Sequence, residues 1–122
     1  MAPPPVLTGT AQRLITHHVD SVGALDLLLL MHRTADRDWG LAELCGELRC
    51  PSAWAVKQLR VLDALGLVIQ PAPGRYRYVR GRQYGPAVDE VALVHRDDPA
   101  SVAKLVFARP PQPARVRVDG LG

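Results

Sequence analysis

Six cationic side chains lie in one stretch of the chain, residues 52–82, where they could contact the phosphates of a polyanion. They are Lys57, Arg60, Arg75, Arg77, Arg80 and Arg82. Asp63 is the single acid among them, so this stretch carries more positive charge than the whole chain, whose formal net charge is +3. The rest of the chain is therefore slightly acidic, and the basic surface is local. A local basic surface favours binding to nucleic acid.

Two of these cations belong to a predicted helix that begins near Ser52. The Ser52 side chain is suited to cap the free amide groups of a first helical turn. Apolar residues then recur at helical spacing, which places one face against a core. Gly66 is expected to end the helix in the left-handed conformation. The opposite face of this helix carries Lys57 and Arg60.

The other four cations lie on or beside a predicted hairpin. Residues 67–70 and 75–79 have the composition of short strands, and residues 71–74 predict the turn between them. Alternation along the second strand puts Tyr76 and Tyr78 on one face and the arginines on the other. The tyrosines are expected to pack the hairpin onto the core rather than to stack on bases.

A short amphipathic helix, Leu41–Leu48, precedes the basic helix, with residues 49–51 as the turn between them. Gly40 is expected at its N-cap and Glu43 at its third position, which gives half of a capping box because glycine offers no side-chain acceptor. Cys45 is placed on the buried face. Helix, turn and helix are thus predicted immediately before the hairpin.

Upstream, Val22–Arg33 is predicted as a helix capped by Ser21, with apolar residues on two faces. Two buried faces need a second layer, supplied either by the C-terminal helices, which are predicted at residues 86–95 and 99–107, or by another subunit. A homodimer is therefore expected, through the C-terminal helices and four residues of the doubly apolar helix. Those four residues are Leu25, Leu27, Leu30 and Met31.

The fold class is expected to be α+β, mostly helical with one small hairpin. Residues 1–10 are proline-rich and are expected to form a disordered tail. A domain at 11–82 is followed by a helical extension at 83–109, expected to serve dimerisation, and by a flexible tail at 110–122. Because the longest apolar run is far shorter than the ~20 residues of a membrane span, the chain is expected to be cytoplasmic.

This order of elements resembles the winged helix-turn-helix superfamily of transcriptional regulators. The residues that match its common helix-to-strand signature are Leu59, Leu62, Gly66, Leu67 and Val68. Further segments at 18–22, 38–50 and 75–78, which read HVDSV, DWGLAELCGELRC and RYRY, are similar to a family of small proteobacterial winged-helix proteins. The resemblance covers about residues 18–110.

The chain departs from that family's pattern at two places. Family members usually carry Thr or Ser where this chain has Gly40, and the residues after Pro110 differ from what normally follows. The resemblance implies a double-stranded DNA-binding regulator, sequence-specific or semi-specific, without implying a ligand or a cofactor. Two recognition helices of a dimer would then meet a palindromic site at a spacing of ~34 Å.

The residues expected at DNA come from the basic helix and the hairpin. They are Ser52, Ala53, Trp54, Lys57, Gln58, Arg60, Arg75, Arg77, Arg80 and Arg82. Trp54 has two interpretations: contact with a thymine methyl group, or packing in the core or at an interface, against the wing or a neighbouring subunit. If all six cations neutralise phosphates, the logarithm of affinity should fall with the logarithm of salt concentration with a slope of about −5. The hairpin supplies four of them and is expected to contribute the larger share.

Other functions receive less support from the sequence. The alternative to DNA binding is a protein-interaction module that docks through Trp54 and the C-terminal helices. No grouping of residues indicates an enzyme or a metal site, and the adjacent pair His17 and His18 would point in different directions on a helix. A redox switch between Cys45 and Cys50 requires their Cα atoms to lie within about 7 Å.

Overall fold

The computed structural model describes residues 7–107, which form six helices and one three-stranded antiparallel sheet. This confirms the α+β class. The elements are α1 (Gly9–His18), α2 (Val22–Arg33), β1 (Trp39–Gly40), α3 (Leu41–Leu48), α4 (Ser52–Ala64), β2 (Val68–Ala72), β3 (Arg75–Tyr78), α5 (Gly85–Asp97) and α6 (Pro99–Phe107). Within residues 7–107, no helix is long and apolar enough to cross a membrane.

Two helix ends follow the predicted local signals and a third does not. The hydroxyl of Ser21 accepts a hydrogen bond from the amide of Ala24 at 3.0 Å and caps α2. Gly66 has a φ of 77° just after α4, the left-handed conformation that glycine adopts without strain. The predicted cap at Ser52 is wrong, because Pro51 occupies the N-cap position and Ser52 is the first helical residue.

Helix α2 lies at the centre of the core, in contact with α3, β3 and α5. Both of its apolar faces are buried, as the sequence predicts, and the second layer comes from the chain itself. The predicted subunit contact through α2 is therefore wrong. Its four residues are Leu25, Leu27, Leu30 and Met31. None is more than 3% exposed, so they offer no surface to another subunit.

The C-terminal helices belong to the same core. Helices α5 and α6 pack against each other and against α1, and Val88, Val91 and Val102 are fully buried. Residues 7–10, expected to be part of a disordered tail, are structured instead: Leu7 is buried and Thr8 bonds to the Glu90 carboxylate. The predicted tail at 110–122 lies outside the described residues.

The sheet has the order β1-β3-β2, with one more strand than predicted. Strand β1 pairs with β3 through Trp39 opposite Tyr76 and Gly40 opposite Arg75. Strand β2 extends into the predicted turn as far as Ala72, with an irregularity in its pairing with β3. The third strand ties the start of α3 to the tip of the hairpin. It thereby places acidic residues of the β1 region beside the hairpin arginines.

Candidate nucleic-acid interface

Helix α4 presents a continuous exposed face on the side opposite the core. Ala55, Leu59 and Leu62 are buried underneath it. The outer face is formed by small, aliphatic and cationic residues that line a shallow groove along the helix. They are Ser52, Ala53, Val56, Lys57, Arg60, Val61 and Ala64. The small residues are concentrated at the N-terminal end of α4, where the helix backbone can approach another surface most closely.

The two cations of this face are exposed and available. Lys57 and Arg60 are separated by three positions, so they lie next to each other on one side of the helix. Within residues 7–107, neither of them forms an ion pair, and Asp63 further along α4 does not bind them. A phosphate could therefore contact both without displacing a carboxylate.

Two other residues of α4 that the sequence assigns to DNA point elsewhere. Gln58 is only 6% exposed and lies on the core side of the helix, so its amide cannot reach a base edge, and the prediction for Gln58 is wrong. Trp54 is half-buried against the core, and a Cβ placed on Gly23 would lie 3.4 Å from its ring. The ring therefore packs beside α2, which supports the packing interpretation of Trp54.

The hairpin arginines differ from the α4 cations because carboxylates already hold most of them. The Arg77 guanidinium donates to the side chain of Asp38, and this hydrogen bond is the main reason why the pKa of Asp38 lies below its ordinary value. Arg75 donates to the backbone carbonyl of Asp38 at 3.0 Å and lies 3.6 Å from a carboxylate oxygen of Glu43. Asp38 and Glu43 thus neutralise the first two arginines of β3.

Glu43 collects several partners at the start of α3. It accepts a hydrogen bond from the amide of Gly40 at 2.9 Å, which is the largest cause of its lowered pKa, and it also pairs with Arg37 at 3.4 Å. A Cβ on Gly40 would lie 2.9 Å from Nη1 of Arg75. Glycine at position 40 therefore leaves room for the pair between Arg75 and Glu43, which a Thr or Ser would crowd.

Arg80 is held on the other side of the hairpin. Its Nε donates to one oxygen of Asp89 at 2.9 Å, and the ring of His32 lies 2.9 Å from the other oxygen. Burial raises the pKa of Asp89, but the hydrogen bonds and the electrostatic attraction of His32 and Arg80 together outweigh burial and leave the pKa below its ordinary value. The nearby hydroxyl of Tyr78 is buried without a hydrogen-bond partner within residues 7–107, and burial raises its pKa to about 12.

Arg82, beyond β3, is exposed and forms no ion pair with any residue from 7 to 107. The six predicted phosphate contacts therefore divide into two groups. Three cations have no ion-pair partner within residues 7–107, namely Lys57, Arg60 and Arg82. Three are already paired, namely Arg75, Arg77 and Arg80. Sequence reasoning missed this division because the acids that pair with the arginines all lie outside residues 52–82: Asp38 and Glu43 come before that stretch and Asp89 comes after it.

The cysteines and histidines form no second site. Cys45 and Cys50 are free thiols, and both are half-buried, so Cys45 is more exposed than the sequence predicts. Burial raises the pKa of Cys50, and the neighbouring Cys45 raises it further, so Cys50 is not activated as a thiolate. In the described part of the chain, no three His, Cys, Asp or Glu side chains are grouped to hold a metal ion.

Comparison with known proteins adds no relative from which a role could be transferred. No family model, no curated protein and no solved structure matches the chain. A functional assignment must therefore come from the geometry and charge of the chain itself.

Proposed function

We propose that this chain is a winged helix-turn-helix regulator that binds double-stranded DNA. In this proposal α3 and α4 are the helix-turn-helix, α4 is the recognition helix, and β2 with β3 is the wing. The element order of the structure supports it, since a hairpin follows directly after the second helix of the pair. The observation that carries the proposal is the exposed outer face of α4 with its two unpaired cations, Lys57 and Arg60.

The chemistry of that face indicates how it would bind. Ser52 and Ala53 are small and exposed at the N-terminus of α4, so this end of the helix can enter a major groove. Lys57 and Arg60 then lie along the groove walls, where they can bind phosphates. Because Gln58 is buried, few side chains remain to read bases. Contacts with the phosphate backbone of the DNA therefore supply most of the affinity, and the binding is semi-specific.

Fluorescence anisotropy with a labelled DNA duplex tests the proposal. The variant Lys57→Ala/Arg60→Ala removes two phosphate contacts, and each contact contributes about tenfold at 0.1 M salt. We therefore expect binding at least about fifty-fold weaker than that of the wild type. The matched control is Arg13→Ala/Lys104→Ala, which removes the same charge from exposed positions on α1 and α6.

Equal losses in the α4 variant and the control would show that only net charge matters and would contradict the assignment of α4. No binding of the wild type at low salt would contradict DNA binding altogether. The interaction-module alternative predicts that second outcome. It has less structural support than the sequence suggested, because the Trp54 ring through which such a module would dock packs beside α2.

A further inference from the structure

Helices α2 and α5 contain the same short sequence pattern. Residues 26–33 read DLLLLMHR and residues 89–96 read DEVALVHR. The Asp, the central Leu, the His and the Arg occupy the same places in both segments. In each helix the Asp and the Arg are seven positions apart, which corresponds to two helical turns and puts them at opposite ends of one face. The structure brings these two faces together.

The two segments line opposite sides of one surface cleft of about 710 Å³. His32 near the end of α2 lies 2.9 Å from Asp89 near the start of α5. The repeated pattern thus supplies each side of the cleft with an Asp, a Leu, a His and an Arg.

Only some of the charged side chains around this cleft form ion pairs within residues 7–107. Asp89 is held by His32 and Arg80. Among residues 7–107, by contrast, Asp26, Arg33 and Arg96 form no ion pair, and neither does Glu47, which lines the cleft from α3. The cleft therefore has free charges of both signs at its edges.

The cleft also combines an apolar floor with an exposed leucine. Leu29 and Leu30 are almost fully buried at its base, and Ala92 lies beside them. Leu93, in contrast, is 53% exposed on the same face. An exposed leucine beside an apolar groove can insert into the same groove of a second molecule, as a side chain inserts between the residues of a facing helix.

We propose that this cleft face is the contact between two copies of this chain. In both helices, the segment that lines the cleft begins with Asp and ends with Arg. If such a segment packs antiparallel against a segment of a second copy, the acidic end of one lies beside the basic end of the other. A twofold dimer requires such a self-complementary surface. Leu93 of each copy then enters the groove over Leu29, Leu30 and Ala92 of the other.

This dimer differs from the contact expected from the sequence, in which buried core residues of α2 met each other. It uses the outer groove between α2 and α5 instead. No residue of α4 lines the cleft, so Lys57 and Arg60 remain exposed in the dimer. The inference does not depend on DNA binding, because the association is measured without DNA.

Light scattering after size-exclusion chromatography tests the interface with single substitutions. The wild type should have twice the chain mass of 13.3 kDa. Leu93→Asp should weaken dimerisation at least about tenfold and shift the mass toward that of the monomer. The control is Phe107→Asp, because Phe107 is also apolar and 76% exposed but lies on α6 away from the cleft. It should leave the mass unchanged.

Charge complementation provides a second test that does not depend on Leu93. Arg33→Glu/Arg96→Glu makes the free charges of the face acidic, and Asp26→Lys/Glu47→Lys makes them basic. Each variant alone should be monomeric, whereas an equimolar mixture should form heterodimers that native mass spectrometry resolves. Circular dichroism of each variant establishes that the helices are intact.

The proposal is overturned by a wild type with monomer mass at every concentration. It is equally overturned if Leu93→Asp keeps the dimer mass, or if Phe107→Asp dissociates the dimer as strongly as Leu93→Asp does. Folded charge variants whose mixture gives no heterodimer would also overturn it. A lower mass for Leu93→Asp together with heterodimers in the mixture supports it.

Discussion

The outer face of α4 and the arginines of the hairpin carry the same charge but have different neighbours. Lys57 and Arg60 face solvent, whereas Arg75 and Arg77 face carboxylates that β1 and α3 place beside them. An exposed ion pair is weak, so a phosphate can displace it, but the displacement reduces what the contact contributes. The number of cations in a segment therefore overstates the charge available to a ligand.

This comparison reverses the relative importance of the two regions for the proposed DNA binding. By count, the hairpin is the stronger half of the predicted interface, with four cations against two. By the number of cations without an ion-pair partner, α4 is the stronger half. Within residues 7–107 both of its cations are unpaired, whereas only Arg82 is unpaired among the four on or beside the hairpin. The arginines of β3 have a second role, because they connect the hairpin to Asp38 and Glu43.

The largest expected difference is between two double variants assayed on one DNA duplex. Lys57→Ala/Arg60→Ala should lose at least about fifty-fold in affinity, whereas Arg75→Ala/Arg77→Ala should lose less than about fivefold. The hairpin variant should also melt at a lower temperature, because it removes the pair of Arg77 with Asp38 and the pair of Arg75 with Glu43. If the hairpin variant stays folded and loses more affinity than the α4 variant, the hairpin is the main contact with DNA.

Salt dependence distinguishes the same alternatives without mutation. For each bound chain, three free cations contribute about −3 to the slope of the logarithm of affinity against the logarithm of salt, whereas six contribute about −5. For one bound chain, affinity should therefore fall about forty-fold between 50 and 200 mM salt rather than more than a thousandfold, and a second bound chain doubles the slope. A slope near −5 per bound chain would mean that DNA displaces the carboxylates from all three paired arginines.

A smaller effect, in the opposite direction, is expected from Asp38→Asn. The amide keeps the shape of the side chain but removes the charge that holds Arg77, so this arginine becomes free for phosphate. Affinity for DNA should rise about two- to fivefold. Asp36→Asn is the control, because Asp36 is exposed nearby and forms no ion pair within the described residues. An equal gain in both variants would reflect net charge alone.

The smallest effect concerns stability against pH. The pKa values of Asp38, Glu43 and Asp89 are lowered from ordinary values of 3.8 for Asp and 4.5 for Glu. Groups with lowered pKa stabilise the folded state above their ordinary pKa and lose that contribution as pH falls through the folded value. Melting temperature should therefore decline below about pH 5. The decline should be shallower in Asp38→Asn, and an identical decline would show that the Arg77 pair contributes nothing.

Much of the fold could be predicted because its signals are local. The cap at Ser21, the apolar spacing of α2 and the left-handed Gly66 each depend on residues within a turn or two of each other. Strand β1 could not be predicted in this way. It has only two residues, Trp39 and Gly40, and it exists because β3 offers a pairing edge far away in the chain.

The same distinction between local and long-range signals applies to the candidate site. The amino-acid sequence is sufficient to show that residues 52–82 are basic and to predict a helix, a turn, a helix and a hairpin in that order. Chain packing was needed to show that Gln58 is buried, that Asp38 pairs with Arg77 across 39 positions, and that α2 and α5 line one cleft. Helix formation depends on neighbours in sequence, whereas ion pairing depends on distance in space, which chain packing alone sets.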